Sequence, residues 1–202
     1  MTRRLHRAAS GSRLLGPVFM AVAAALHAWP TPALAASPIP TTQAAAEIGG
    51  PFTLVDQDGR TVNDAQFRGK WLLVYFGYTH CPDACPIALT NIDAALGDID
   101  PARRDKVQAI FITVDPARDT PAVMKDYIGA FEGADIVGLA GTPEQVNAAE
   151  TAYRVQARRH DGKDGDYTMS HASTIVIMDP EGRFVARVPP ENIAGRLAQL
   201  VR

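Results

Sequence analysis

The chain has 202 residues, 47% hydrophobic and 21% charged, a balance that suits a globular protein with enough length to bury one good core. Its 20 basic and 22 acidic residues leave a formal net charge of -2, and without a concentrated basic face this argues against nucleic acid as a partner.

The one marked charge asymmetry lies at the start, where Arg3, Arg4, Arg7 and Arg13 stand with no acidic residue among them. The apolar run from Leu14 to Leu26 follows, shorter than the roughly 20 residues of a comfortable bilayer span. Pro30 and Pro32 break any helix, and Ala33-Leu34-Ala35 has the small-x-small pattern of a signal-peptidase site. These features predict a signal peptide over residues 1–35, cleaved after Ala35. The alternative is an uncleaved anchor with His27 and Trp29 at the membrane interface, so membrane association is expected only through this segment. No cysteine lies near the cut to carry a lipid. Both readings export the domain, to the periplasm or the outer face of the cytoplasmic membrane, where thiols can oxidise.

Residues 36–50 are Ala/Pro/Thr-rich and aperiodic, as a flexible linker would be, and the folded domain is expected over 51–202. Phe52-Thr53-Leu54-Val55 and Arg60-Thr61-Val62 flank an Asp-Gly turn and predict a small hairpin. Trp71 to Phe76 is a continuous apolar run ending at Gly77, as in a central strand buried on both faces. Ile87, Leu89, Ile92 and Leu96 suit one side of a helix, and Val107 to Val114 reads as a second buried strand. Thr120-Pro121 and Thr142-Pro143 each place a capping hydroxyl before a first-turn proline, predicting helices to about Phe131 and Tyr153 with a short strand between them. The polar stretch Arg158 to Thr168 reads as a mobile loop, expected to become ordered when His171 beyond it binds a metal. A hairpin over 174–178 and 183–188 and a helix over 191–201 complete the chain. The order requires an α/β fold, a mixed central sheet flanked by helices with an extra N-terminal hairpin. A strand entering a helix through a cysteine pair is the thioredoxin-like arrangement.

Cys81 and Cys85 are the only cysteines, in Cys-Pro-Asp-Ala-Cys-Pro at the end of the first buried strand. Pro86 predicts a helix starting there, with Cys85 at its cap. Amide donors and the dipole at a helix start favour thiolate over thiol, which both metal binding and disulfide exchange require. A structural disulfide is the bland alternative, although so short a loop removes little unfolded-state entropy. His171, before the strand at Thr174, would lie at the same end of a thioredoxin-like sheet. Two thiolates and an imidazole form a soft set that suits Cu(I) and can hold Cu(II); zinc is also chemically compatible. His80 should point away from its neighbour Cys81, His6 and His27 lie in the export signal, and His160 sits in the polar stretch without an evident partner. Asp83, between the cysteines, serves either the turn or a partner.

Gly77-Tyr78-Thr79-His80-Cys81-Pro82-Asp83-Ala84-Cys85-Pro86 resembles the signature of the Sco/SenC family of copper proteins. Val114 to Pro121 resembles that family's second motif, and the segment around His171 with Met178-Asp179-Pro180-Glu181-Gly182 its third. The resemblance covers roughly residues 50 to 201. It implies a thioredoxin fold, copper ligation by Cys81, Cys85 and His171, and delivery of copper to the CuA centre of cytochrome c oxidase. Implied partners are the oxidase subunit that carries CuA, other copper chaperones and thioredoxin-like reductants. One departure is Ser170, just before the histidine, where many members carry an acidic residue that bears on site tuning and docking.

Two functions therefore compete: a metallochaperone, and a thiol-disulfide oxidoreductase that uses Cys81 and Cys85 as a redox-active pair on exported proteins. A peroxidase-like enzyme shares the fold but would want a separate resolving cysteine. Dithiol exchange needs only the cysteines, whereas metal retention needs His171 as well.

Overall fold

A computed structural model describes residues 48–131 and 133–201. The expected export signal, the cleavage point after Ala35, and His6 and His27 lie outside the described residues, as does nearly all of the expected linker. Among the described residues, no helix is long and apolar enough to cross a membrane.

The N-terminal hairpin forms as expected, β1 (Thr53–Asp56) pairing antiparallel with β2 (Thr61–Asn63). Asp56 closes the turn, its Oδ1 accepting the Asp58 and Arg60 N–H groups at 3.0 and 2.8 Å, with Gly59 in the left-handed region. A short 3-10 turn leads into β3 (Trp71–Gly77), whose residues after Trp71 are all buried. The helix α1 (Ala84–Gly97) follows, then a single turn α2 (Pro101–Arg104) and β4 (Val107–Thr113), buried at every position. Next come α3 (Pro121–Ile128), β5 (Ile136–Ala140) and α4 (Pro143–Ala152). Thr120 caps α3, and Thr142 with Gln145 forms a capping box on α4, as the Thr-Pro pairs predict.

The main sheet has the order β2-β1-β5-β4-β3-β8-β9, with β8 (Ile175–Met178) and β9 (Phe184–Val188) forming the C-terminal hairpin. The strands β3, β4 and β5 run parallel, and β8 pairs antiparallel to β3. Strands buried at every position need cover on both faces, so the mixed sheet is flanked by helices in a thioredoxin-like fold. The helix α5 (Ile193–Leu200) packs on α1 and buries Ile193 and Leu197.

Two expectations are corrected. Cys85 is not the cap of α1: the helix starts two residues earlier, with Asp83 at the N-cap position, Ala84 first, Cys85 second and Pro86 third. First-turn N–H groups have no intrahelical acceptor, so Pro86 removes nothing there. The polar stretch from Arg158 to Thr168 is not a loop: β6 (Ala157–Asp161) and β7 (Tyr167–His171) pair as a separate two-stranded hairpin, with Asp164 and Gly165 in the left-handed region at its tip. Composition misled because it weighed the missing apolar side chains and not the backbone pairing and aromatic-cation packing that hold the ribbon.

Candidate metal centre

The central strand β3 delivers the chain to the site at Gly77. A turn closed by the Cys81 N–H to the Tyr78 carbonyl (3.2 Å) then brings in the cysteines. Cys81 is partly exposed and Cys85 is buried, both as free thiols. The Cys85 N–H, one of the unsatisfied donors of the first helical turn, points at Cys81 Sγ at 3.3 Å. Around Cys85 the packing leaves no slack: a Cβ on Gly77 would lie 2.9 Å from Cys85 Sγ and 2.6 Å from the Phe111 ring. Burial pushes the Cys85 thiol well up, against a partial offset from a Tyr78 backbone hydrogen bond. The sulfur therefore holds its proton more firmly than a free thiol does, and binding a cation there releases it.

His171 ends β7, opposite Ala157 on β6. Strand alternation puts Tyr167, Met169 and His171 on the partly buried face and Thr168 and Ser170 outside. The imidazole stands nearly perpendicular to the Tyr75 and Tyr78 rings at centroid separations of 6.0 and 6.1 Å. Its Nδ1 is 3.2 Å from the Ala172 carbonyl, which can only accept, so Nδ1 carries the hydrogen and Nε2 presents its lone pair. That lone pair faces Cys85 Sγ at 3.5 Å. Burial pulls His171 below the ordinary histidine value, with the Ala172 hydrogen bond opposing, and keeps the ring neutral as a ligand must be.

The donor atoms of Cys81, Cys85 and His171 all lie within 4.8 Å of one another. Metal bonds of about 2.0–2.3 Å to N and S would separate donors around one ion by about 3.5–4 Å. The three groups are thus nearly at bonding separation, and the sequence-predicted trio is brought together.

The second motif, whose roles the sequence left unread, ties these parts to the sheet. Asp119, buried, accepts the Thr79 hydroxyl at 2.6 Å and N–H at 3.1 Å and the Thr113 hydroxyl at 2.6 Å, fixing the start of the cysteine turn to the end of β4. Asp115 accepts the Tyr167 hydroxyl at 2.8 Å and also pairs with Arg118. Long-range pairing of this kind leaves no periodic trace, although its members stand inside a motif that the sequence reading quotes.

The remaining candidates stay apart from the trio. His80 is exposed, with Nδ1 3.1 Å from the Thr79 hydroxyl and 3.9 Å from Asp119. His160 has a partner after all, its Nε2 2.8 Å from the Ser170 hydroxyl on the outer face of the hairpin. Ser170 therefore sits on the opposite face from His171. Asp83 is exposed and makes no side-chain capping bond.

A family profile described as SCO1/SenC matches residues 40–202. SCO1 homolog 1, a mitochondrial protein of Arabidopsis thaliana, is 39% identical over 140 residues, covering 69% of this chain and 42% of the relative. SenC of Rhodobacter capsulatus is 42% identical over 145 residues, covering 72% of this chain and 65% of that protein. The solved structure of Bradyrhizobium japonicum ScoI with copper bound superposes with a TM-score of 0.69 at 47% identity, covering 76% of this chain and 99% of that one. The chain spans about half the length of the curated relatives it matches.

Proposed function

Because the chain belongs to the SCO1/SenC family, we propose that it is an exported copper metallochaperone. It holds copper through Cys81, Cys85 and His171 and passes it to the CuA centre of cytochrome c oxidase during assembly. The observation that carries this reading is the convergence of two sulfurs and a lone-pair-bearing imidazole nitrogen within 4.8 Å. Copper bound to the similar ScoI supports the choice of metal. This donor set is soft enough for Cu(I) and retains the nitrogen that Cu(II) favours, whereas calcium or magnesium would demand oxygen. Three donors leave a coordination position open, and Cys81 is partly exposed, so an acceptor's ligands can replace the chaperone's one at a time. Residues 1–35 serve as signal peptide or anchor and 36–50 as tether, which puts the 51–202 domain outside the cytoplasmic membrane, within reach of other copper chaperones and thioredoxin-like reductants.

A second activity is favoured by the unequal burial of the two thiols. A partly exposed Cys81 thiolate can attack a partner's disulfide and release one partner thiol. Cys85 then attacks the mixed disulfide, leaving the Cys81–Cys85 pair oxidised and the partner reduced by two electrons.

Anaerobic copper titration of the reduced protein tests both readings. Wild type should take up one copper, and the Cu(II) form should show thiolate-to-copper charge-transfer absorption. Cys81→Ser and Cys85→Ser should each lose that absorption. His171→Ala should lose metal retention and keep dithiol exchange. If the cysteine variants bind with wild-type stoichiometry and absorption, the site is elsewhere.

A further inference from the structure

Among the described residues, the hairpin that carries His171 pairs only within itself and lies outside the main sheet. A two-stranded ribbon is marginal in water unless it packs on something, and four of the five β6 residues are charged or histidine. Met169 and Ala157 reach the core from its inner face. Toward its tip the anchor is different in kind. The Tyr167 hydroxyl donates to Asp115 Oδ1 at 2.8 Å, and the Tyr167 carbonyl accepts Arg118 Nη1 at 3.1 Å. The Arg118 and Arg159 guanidinium carbons both lie over the Tyr167 ring, 3.6 and 3.7 Å from its centroid. Arg118 is only 19% exposed and pairs through Nε with Asp115. The Asp115 N–H is bonded in turn to the hydroxyl of Thr113, the last residue of β4, at 2.8 Å. A continuous chain of contacts thus runs from the central sheet through Asp115 and Arg118 to Tyr167, four residues before His171 on the same strand.

We propose that Arg118 is a positioning residue of the metal centre: with Asp115 and Tyr167 it clasps the β6–β7 hairpin to the end of β4 and so holds the His171 imidazole against the Cys85 sulfur. The proposal rests on the copper reading above. A guanidinium suits the task because one planar group pairs with a carboxylate, donates to a carbonyl and stacks on a ring, three contacts that a lysine ammonium cannot reproduce together. With the clasp open, the hairpin keeps its own pairing and the packing of Met169 and Ala157 but loses its polar tie to the end of β4. The two sulfurs remain in place while the nitrogen donor becomes intermittent.

The test compares wild type, Tyr167→Phe, Arg118→Gln, Arg118→Lys and His171→Ala in the full chain, loaded with Cu(II). Nitrogen hyperfine structure in the electron paramagnetic resonance spectrum reports the imidazole, and copper release to a competing chelator reports retention. Circular dichroism and thermal melting identify which variants are folded. Arg118→Gln should release copper about 10- to 100-fold faster, the usual cost of losing support around a metal ligand, with weakened nitrogen hyperfine. Tyr167→Phe, which removes only the hydroxyl to Asp115, should show a smaller change of the same sign, and Arg118→Lys should fall between wild type and Arg118→Gln. If Arg118→Gln does not fold, Tyr167→Phe decides. Folded variants with wild-type hyperfine and release overturn the clasp, even if they melt earlier, provided His171→Ala alters both readouts. If His171→Ala alters neither, the ligand assignment itself fails and the clasp falls with it.

Discussion

Cys85 is buried beside the Gly77 backbone and the His171 imidazole, and the space next to Gly77 is already taken by its sulfur and by the Phe111 and Tyr75 rings. Gly77→Ala would drive a methyl group against that sulfur and the Phe111 ring. Overpacking of this kind costs about 1–3 kcal/mol, and each kcal/mol lowers the melting temperature of a domain this size by about 2–4 °C. Calorimetry should show that loss, together with weaker copper binding; an unchanged melting temperature would mean that the site is looser than its packing. Acid should weaken copper binding for two reasons at this scale. The Cys85 thiol, pushed up by burial, releases its proton less readily as the pH falls, and protonation removes the Nε2 lone pair of His171. Competition titrations between pH 8 and 6 should therefore show affinity falling as protons are added, with proton release on loading. Glu150 on α4 behaves differently, because burial raises it to about 7 from 4.5. Below the lower value both folded and unfolded chains hold the proton; between the two values the unfolded chain ionises first, so stability falls as pH rises. Glu150→Gln should match wild type near pH 4 and exceed it at pH 8, by about 1 kcal/mol once partial exposure is allowed for. Denaturant melts at the two pH values measure the difference.

At the scale of elements, the β6–β7 hairpin departs most from the sequence reading. Asp161-Gly162-Lys163-Asp164-Gly165-Asp166 has almost no apolar side chain, yet the five facing pairs from Ala157↔His171 to Asp161↔Tyr167 give the flanking backbone its hydrogen bonds. Hydrogen exchange on the metal-free protein should accordingly find β7 amides already protected, with copper adding little. Exchange at the unprotected rate until copper is added would restore the mobile loop. The helix starts were far more legible, because a cap is a local interaction. The Thr142 hydroxyl accepts the Gln145 N–H at 3.3 Å while the Gln145 side chain accepts the Thr142 N–H at 2.9 Å, a pair readable from four consecutive residues. Thr142→Ala should cost about 1 kcal/mol in a denaturant melt. The start of α1 lies two residues before the one that Pro86 suggests, since proline is tolerated anywhere in the first turn and does not fix which position it takes.

In the whole molecule, the proposed use of the same two thiols as a disulfide pair and as metal ligands would make copper binding conditional on redox state. A sulfur committed to an S–S bond has no thiolate to offer. Fully oxidised protein, shown to lack free thiols, should bind copper far more weakly than reduced protein, and reduction should restore binding; equal affinity in the two states would refute the gate. Under the proposed function the same arrangement would link chaperone and oxidoreductase activities, since a reductant that opens the disulfide also prepares the site for metal.

The amino-acid sequence by itself determined the buried strands β3 and β4, the capped helices, the terminal hairpins and the soft chemistry of Cys81, Cys85 and His171, because periodicity, capping and donor type are properties of local residues. Tertiary structure decided which distant groups meet. It set the His171 tautomer through the Ala172 carbonyl, fitted Cys85 against Gly77, turned Ser170 to the outer face and joined Asp115 and Arg118 to Tyr167. Those pairings bridge as many as 86 positions between Cys85 and His171, and their geometry comes from the sheet order and strand register that bring β3, β4 and the separate hairpin to one end of the fold.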